Sequence, residues 1–271
     1  LFLPNIYKSE ALLSPVDESS SLISGALSQY SGLAGLAGID LPTGENSSNS
    51  KKAIELMGSL NFFEKHIMPK IFLPDLMAVE SWDYKKNTII YDNGIFQKDS
   101  NNWVRDFSYP QKLIPSAQES FEVFKDDHLK ILEDNKTGYV ALSIKHQSPL
   151  IAKQWVQIIF EEVNSFYRQK DKETSEKAVI YLNKQIANTN LSEIRQATAS
   201  LLEKEIQKLT LVEANKDYVF EFVYPPSVME KKLEPNRLLI FFLSLIFGIF
   251  LGMIVVIFRH YFSKEKTLYK E

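Results

Sequence analysis

Four histidines, His66, His128, His146 and His260, carry most of the side-chain chemistry this 271-residue chain could offer. A hydrolytic zinc centre sets two histidines four apart on one helix face with a glutamate beside them. None of the four has that spacing, and no neighbouring carboxylates complete a metal site with them. Asp126, Asp127 and His128 stand in a row and invite an acid/base reading, but adjacent charges at a helix end are ordinarily solvated, and the sequence predicts that here. Cysteine is absent, which excludes a disulfide framework, a thiolate metal site and a cysteine nucleophile, and fits a cytoplasm and a bacterial periplasm equally. Glycines at 32, 35 and 38 recur every three residues, without the following Lys-Ser or Lys-Thr and the strand-to-helix context of a phosphate or dinucleotide loop. They read as a small-residue loop or helix, or as a subunit contact. Serine-nucleophile and kinase signatures are missing as well. The sequence therefore predicts a scaffold with no catalytic residue, no cofactor and no metal.

One spacing has a different use. Gly248 and Gly252 lie in the uncharged stretch Leu238–Phe258, which at about 1.5 Å per residue crosses a hydrocarbon core of roughly 30 Å. A glycine pair four apart in such a helix lets a second backbone approach closely, so that van der Waals packing holds two helices together where lipid supplies no hydrophobic drive.

The rest of the chain must position that span. At 24% charged, 45% apolar and 12% aromatic residues it is globular in composition. Of 31 basic and 34 acidic residues, five and two lie from Arg237 onward, leaving 26 and 32 before it and a net charge of −6 there. Nucleic acid is not an expected partner. Arg259, His260, Lys264, Lys266 and Lys270 follow the span while Lys231, Lys232 and Arg237 precede it, a bias that favours a cytoplasmic tail. Residues 1–236 would then be exported. Because export needs a signal or anchor, and "LFLP" reads as the end of an apolar segment, a first transmembrane helix is expected before Leu1, outside this chain.

Element by element, "NIYKSEALLSPV" (5–16) reads as a strand and "PTGENSSNSKK" (42–52) as a polar loop. "KKAIELMGSLNFFEKHI" has helical spacing at Ile54, Met57, Leu60, Phe63 and Ile67, ending at Pro69. A helix opens at Pro115 or Ser116, and two runs around the turn residues 134–138 predict a β-hairpin. From Ser148 and Pro149 a helix of about 40 residues follows, roughly 60 Å long, with Ile151, Trp155, Ile159, Val163 and Tyr167 every four residues. Its apolar face nearly vanishes over Arg168–Lys177, a decade that includes Lys170, Lys172 and Lys177 and should lean on neighbouring subunits through charge pairs. "NTNLSE" breaks the pattern. A second helix carries Leu191, Ile194, Thr198, Leu201 or Leu202, Ile206 and Leu209 on one side, making an antiparallel hairpin with the first. Ile186, Leu191, Ile194 and Leu201 are expected to serve contacts within or between subunits near its tip. "DYVFEFVYPP" (217–226) alternates as a returning strand.

Nearly the whole chain resembles the Wzz-type polysaccharide co-polymerases, the O-antigen chain-length determinants of the Gram-negative inner membrane. That family's pattern is proline, two residues, proline, four residues, serine-proline-lysine, eleven residues, then glycine, three residues, glycine. This chain has Pro226, Met229, Glu234-Pro235-Asn236, Gly248 and Gly252 at matching spacing, and departs at Met229, Glu234 and Asn236. "IKHQSPLIAKQWVQIIFEEVNSFYR" is similar to the family's approach to its long helix and "DYVFEFVYPP" to its closing strand; residues 40–115 resemble it least. The resemblance implies an α+β fold with two transmembrane helices around a membrane-proximal periplasmic α/β base, a protruding helical hairpin and a ring-like homo-oligomer. It also implies control of polymer length on behalf of a separate integral-membrane polymerase, with membrane lipid and the growing lipid-linked polysaccharide as further contacts. The expected division is 1–150 base, 151–215 hairpin, 216–236 return strand and proline turn, 237–259 transmembrane helix and 260–271 cytoplasmic tail. Two other readings stay open: a periplasmic adaptor of a transport complex that uses the hairpin, and a tail-anchored cytosolic protein.

Overall fold

The computed structural model describes residues 4–16 and 45–268. The glycines at 32, 35 and 38 lie outside them. The frame is a four-stranded antiparallel sheet in the order β6-β7-β1-β8, with β1 at Tyr7–Pro15, β6 at Leu129–Glu133, β7 at Val140–His146 and β8 at Phe220–Tyr224. Inward residues alternate along β1, where Ser9, Ala11 and Leu13 are buried, as the period of two requires. The β6–β7 turn forms where the sequence places it. Gly138 takes φ +72°, and the Asp134 carboxylate accepts from the Lys136 amide at 2.9 Å and the Thr137 hydroxyl at 2.9 Å.

Across this sheet lies the first half of a 40-residue helix, α5 (Pro149–Asn188), which buries Ala152, Trp155, Val156, Ile159, Phe160 and Val163 against Ala11, Leu13, Val140, Leu142 and Ile144. Each large side chain so buried stabilises the fold by about 1.5–3 kcal/mol. Phe62, Phe63, Ile67 and Phe124 extend the same core. They come from the short helix α2 (Leu60–Phe62) with its π turn Phe63–Ile67, and from the π turn Phe124–His128 that follows α4 (Ala117–Val123). Ser116 caps α4 by accepting from the Glu119 amide, and Arg105 holds the Glu119 carboxyl below the usual carboxylate range.

Two expectations for residues 42–67 are corrected. Helix α1 runs Glu45–Met57, so Glu45–Lys52 are helical rather than loop. Buried Ala53 and Met57 anchor its last turns, and once they pack, polar residues extend the helix at small cost. The predicted helix from Lys51 to Ile67 is broken at Gly58 and Ser59, where the Ser59 hydroxyl donates back to the Leu56 carbonyl at 2.7 Å and accepts from the Phe62 amide at 3.3 Å.

Between the one-turn helix α3 (Leu73–Met77) and α4 the chain forms two small ribbons that the sequence did not reveal. They are β2 (Val79–Asp83) with β3 (Thr88–Tyr91), and β4 (Phe96–Gln97) with β5 (Asn102–Trp103). Ala78, Tyr91 and Phe96 make a second, small cluster there, with Trp103 5.3 Å from Phe96.

After α5 the chain turns at 189–191 into α6 (Ser192–Ala214), where the Thr189 carbonyl accepts from Arg195 at 2.7 Å. The last element, α7, runs Arg237–Leu268 and remains helical through most of the predicted tail. The fold is thus α+β: an antiparallel sheet with helices on it, a long helical hairpin and a C-terminal apolar helix.

Candidate functional site

The sequence places its candidate functional residues on three surfaces: the hairpin, the segment that leads to α7, and α7 itself. Along the hairpin, burial stops early. Tyr167 and Ser175 are the last buried residues of α5, and Val212 is the only buried residue of α6. The two helices face one another through half-buried Leu182, Ile186, Thr198, Leu202 and Leu209. Leu191, Ile194, Leu201 and Ile206 point away from that seam, with Leu191 62% and Leu201 53% exposed, as do Ile180 and Tyr181 of α5. The sequence had placed both sets on one side. The structure separates them because the seam follows 198, 202, 205 and 209, a spacing of four, three and four that returns to the same helix face.

The polar decade leans first on its own chain. Lys172 bonds Glu213 of α6 at 2.9 Å and lies 4.0 Å from Glu176, while Asp171 accepts from the Tyr218 hydroxyl at 2.7 Å and sits 4.0 Å from Lys208. Lys170 stands 5.7 Å above the Tyr167 ring, and Lys177 is exposed. Exposed pairs of this kind contribute little each. They set the register of the hairpin root.

Below that root, Asn164 does the fastening. Its Oδ1 accepts from the amides of Tyr218, Val219 and Phe220 at 3.1, 2.7 and 3.0 Å, and its Nδ2 donates to the Phe220 carbonyl at 2.9 Å. One buried amide side chain therefore delivers the chain from the hairpin into β8, and Phe222 then stacks on Phe160 with centroids 3.7 Å apart.

From β8 the chain descends past buried Pro226 to the far end of the sheet. The Ser9 hydroxyl donates to the Ser227 carbonyl at 2.8 Å, and Ile6 and Glu234 form a backbone bridge, the Ile6 amide donating at 2.9 Å. Lys145 bonds the Glu234 carboxylate at 2.6 Å. Asn236 caps α7 by accepting from the Leu239 amide at 3.4 Å. The two positions that depart from the family pattern on either side of Pro235, Glu234 and Asn236, thus hold this junction. An asparagine just before an apolar run is an N-cap signal that the sequence could have yielded.

Within α7, Arg237–Val256 has a mean hydropathy of 3.0, is long and apolar enough to cross a membrane, and is not buried among the described residues. Gly248 and Gly252 lie one turn apart on it. A Cβ at either would meet nothing within 4 Å.

No protein-family profile matches this chain and no curated protein matches it. Solved structures similar to it include three polysaccharide co-polymerases or chain-length regulators. A fragment of WzzB, the polysaccharide co-polymerase of Salmonella Typhimurium, is 12% identical, with 85% of this chain and 100% of that one covered at a TM-score of 0.35. A full-length bacterial polysaccharide co-polymerase is 11% identical over 97% and 88%, with a TM-score of 0.37. A point mutant of the Shigella flexneri lipopolysaccharide O-antigen chain-length regulator is 12% identical over 84% and 99%, with a TM-score of 0.29.

His66, His128 and His146 have structural partners; the His260 side chain lies outside the described residues. His128 is not solvated as expected, although Asp126 and Asp127 are exposed. Its Nδ1 lies 2.6 Å from the Lys145 carbonyl, and its ring is 5.6 Å from His146 and 5.5 Å from Trp155. His146 is buried, with Nδ1 accepting from the Ser148 amide at 2.9 Å and Nε2 facing the Asp75 carbonyl at 2.9 Å. Burial pushes the His146 imidazole down to about 4 and lowers His128 as well. Burial likewise raises the Asp75 carboxyl against the pull of the Tyr91 hydroxyl, 2.6 Å away. His66 lies 3.3 Å from buried Glu162, which Lys70 also pairs. Among the described residues no three of His, Cys, Asp or Glu gather as a metal site would require.

Proposed function

We propose that this chain is a non-enzymatic polysaccharide co-polymerase. It sets the length of a surface polysaccharide, O-antigen of lipopolysaccharide being the favoured product, that a separate integral-membrane polymerase makes. The observation that carries this reading is the placement of Pro226, Pro235, Gly248 and Gly252. Their spacing matches the family's, and the segment bearing them runs from a sheet edge, along the first residues of β1, directly into an apolar span. The span anchors the chain in the inner membrane. Residues 1–150 and 216–236 form the periplasmic base, 151–215 the protrusion and 260–271 the cytoplasmic tail.

Homo-oligomerisation follows from the hairpin's energetics. Helices that bury so few side chains between them gain from further cover, and the exposed row Leu191, Ile194, Leu201 and Ile206 offers an apolar face to a neighbouring copy, assisted by Lys170 and Lys177. Replacing Leu191, Ile194 and Leu201 together by aspartate should leave the base folded and reduce the assembly to smaller species by light scattering in detergent. An unchanged oligomer would remove this row from the interface. A transport adaptor carries matching β-rich halves on both sides of its hairpin, whereas among the described residues β8 alone follows α6, so that reading gains no support.

The functional test is genetic. Deleting the gene should abolish the modal length of surface polysaccharide on a gel, and the wild-type chain should restore it. Gly248→Leu with Gly252→Leu should express normally yet shift or abolish the mode, because bulk on this face keeps a partner helix away. A wild-type ladder from the double variant would refute the contact role of the pair.

A further inference from the structure

We propose that the turn between β2 and β3, residues 83–87, is a membrane-surface contact that selects anionic phospholipid headgroups. The inference rests on reading α7 as a membrane span. Its starting point is position. Trp82 packs edge-on against Tyr7 with centroids 5.4 Å apart, and Tyr7 directly follows Ile6, whose backbone bridges to Glu234 three residues before α7 begins. Gln147, just beyond β7, donates to the Val79 carbonyl at 3.4 Å and ties the base of the ribbon to the same end of the sheet. The turn is therefore held at the end of the sheet from which the span departs.

The turn is also rigid. The Asp83 carboxylate accepts from the amides of Lys85 at 2.9 Å and Lys86 at 3.3 Å, Asn87 adopts φ +51°, and the Trp82 indole donates to the Asn87 side chain at 3.1 Å. These bonds turn the one acidic group of the tip inward onto backbone. What remains outward is Tyr84, 70% exposed, with Lys85 6.0 Å from its ring centroid and Lys86 exposed beside it. Among the described residues neither lysine has an ion-pair partner. A tyrosine followed by two ammonium groups without ion-pair partners suits the headgroup layer: the ring fits its half-apolar, half-wet depth, and the cations meet lipid phosphate. Lys231, Lys232 and Arg237, just before and at the start of the span, continue the same charge.

The chain lacks cysteine, so single cysteines can report on contact. Thr88→Cys, at the exposed start of β3, is labelled with a fluorophore, and the full chain is reconstituted into vesicles of phosphatidylcholine alone or mixed with phosphatidylglycerol. Each preparation carries a trace of lipid spin-labelled at the headgroup. Quenching should be strong with phosphatidylglycerol and weak without it. Lys85→Gln with Lys86→Gln should lower the contacting population roughly thirtyfold. Tyr181→Cys on the hairpin should stay unquenched, and Ile246→Cys should be quenched by lipid labelled on the acyl chain. An unquenched Ile246 overturns the span itself and this inference with it. A quenched Ile246 beside an unquenched Thr88 position overturns the contact alone. Equal quenching in both lipids, or in the glutamine variant, overturns the selection for anionic headgroups.

Discussion

Asn164→Ala is expected to lower the stability of the fold by about 4 kcal/mol, because several backbone amides lose their acceptor at once and each buried donor left unpaired costs about 1–3 kcal/mol. The amides concerned belong to Tyr218, Val219 and Phe220, and Phe220 is fully buried in the core. The Phe220 carbonyl loses its donor as well, because the facing residue of β1, Pro15, has no N–H to offer in place of the Asn164 side chain. The effect should be local before it is global. Hydrogen exchange would show the three amides losing protection while those of β6 and β7 keep theirs, and urea titration of the full chain in detergent would give the overall loss. Asn164→Asp retains an acceptor oxygen and should preserve part of the protection, at the expense of a buried charge. If the alanine variant unfolded at the wild-type urea midpoint, the clip would be incidental to the fold.

Acid should weaken the fold in a defined window. The ordinary histidine value is 6.5, and that of buried His146 is pushed down to about 4. As pH falls below 6.5 the unfolded chain takes up a proton that the folded chain refuses, so stability declines until about pH 4, where the folded form is protonated too. The loss from this residue is about 3 kcal/mol. His128 acts in the same direction and repels a charge on His146, while exposed Asp127 draws the His128 value up. Asp75, with its raised carboxyl, acts in the opposite sense by accepting a proton more readily when folded, and Lys98 moderates it. Protonation at Nδ1 of His146 would also confront the Ser148 amide, whose carbonyl begins the hydrogen bonding of α5. His146→Gln cannot titrate. Urea midpoints measured above pH 6.5 and near pH 4 should fall less for the variant than for the wild type; parallel losses would show that carboxylates alone govern the acid limit.

What the sequence revealed and what it withheld divide along a physical line. Signals that act over a few residues were legible: the Asp134–Gly138 turn, the Ser116 cap, Pro149 at the start of α5, and the uncharged run of α7. Features that exist only when distant residues meet were not. Ala78, Tyr91 and Phe96 find burial in each other, and strands of two to five residues are too short to show a period. His128 and His146 meet because β6 and β7 pair with Leu129 opposite Ile144, and nothing in their spacing announces it. Asn164 gave one weak hint, a polar amide beside the stripe formed by Trp155, Ile159, Val163 and Tyr167. Among the candidate positions, the hairpin's outward row was misgrouped because Leu201 and Leu202 are adjacent, and only packing decides which of them turns inward.

The place of β1 in the sheet sets the order in which the protein can be built. This early strand has β7 on one side and β8 on the other, and Ile6 before it bridges to Glu234. One flank can close once Val140–His146 have been made, but the other must wait until the entire hairpin has been synthesised and Phe220–Tyr224 follow it. Pairings so remote in sequence are slow to form, since the loop between them must first be brought together. Throughout that interval Leu12–Pro15 expose backbone groups along an open strand edge, which a second nascent chain could occupy. The Asn164 clip shortens the interval from the far side: by gripping residues 218–220 as they leave α6, it presents β8 to the waiting edge with its direction already fixed.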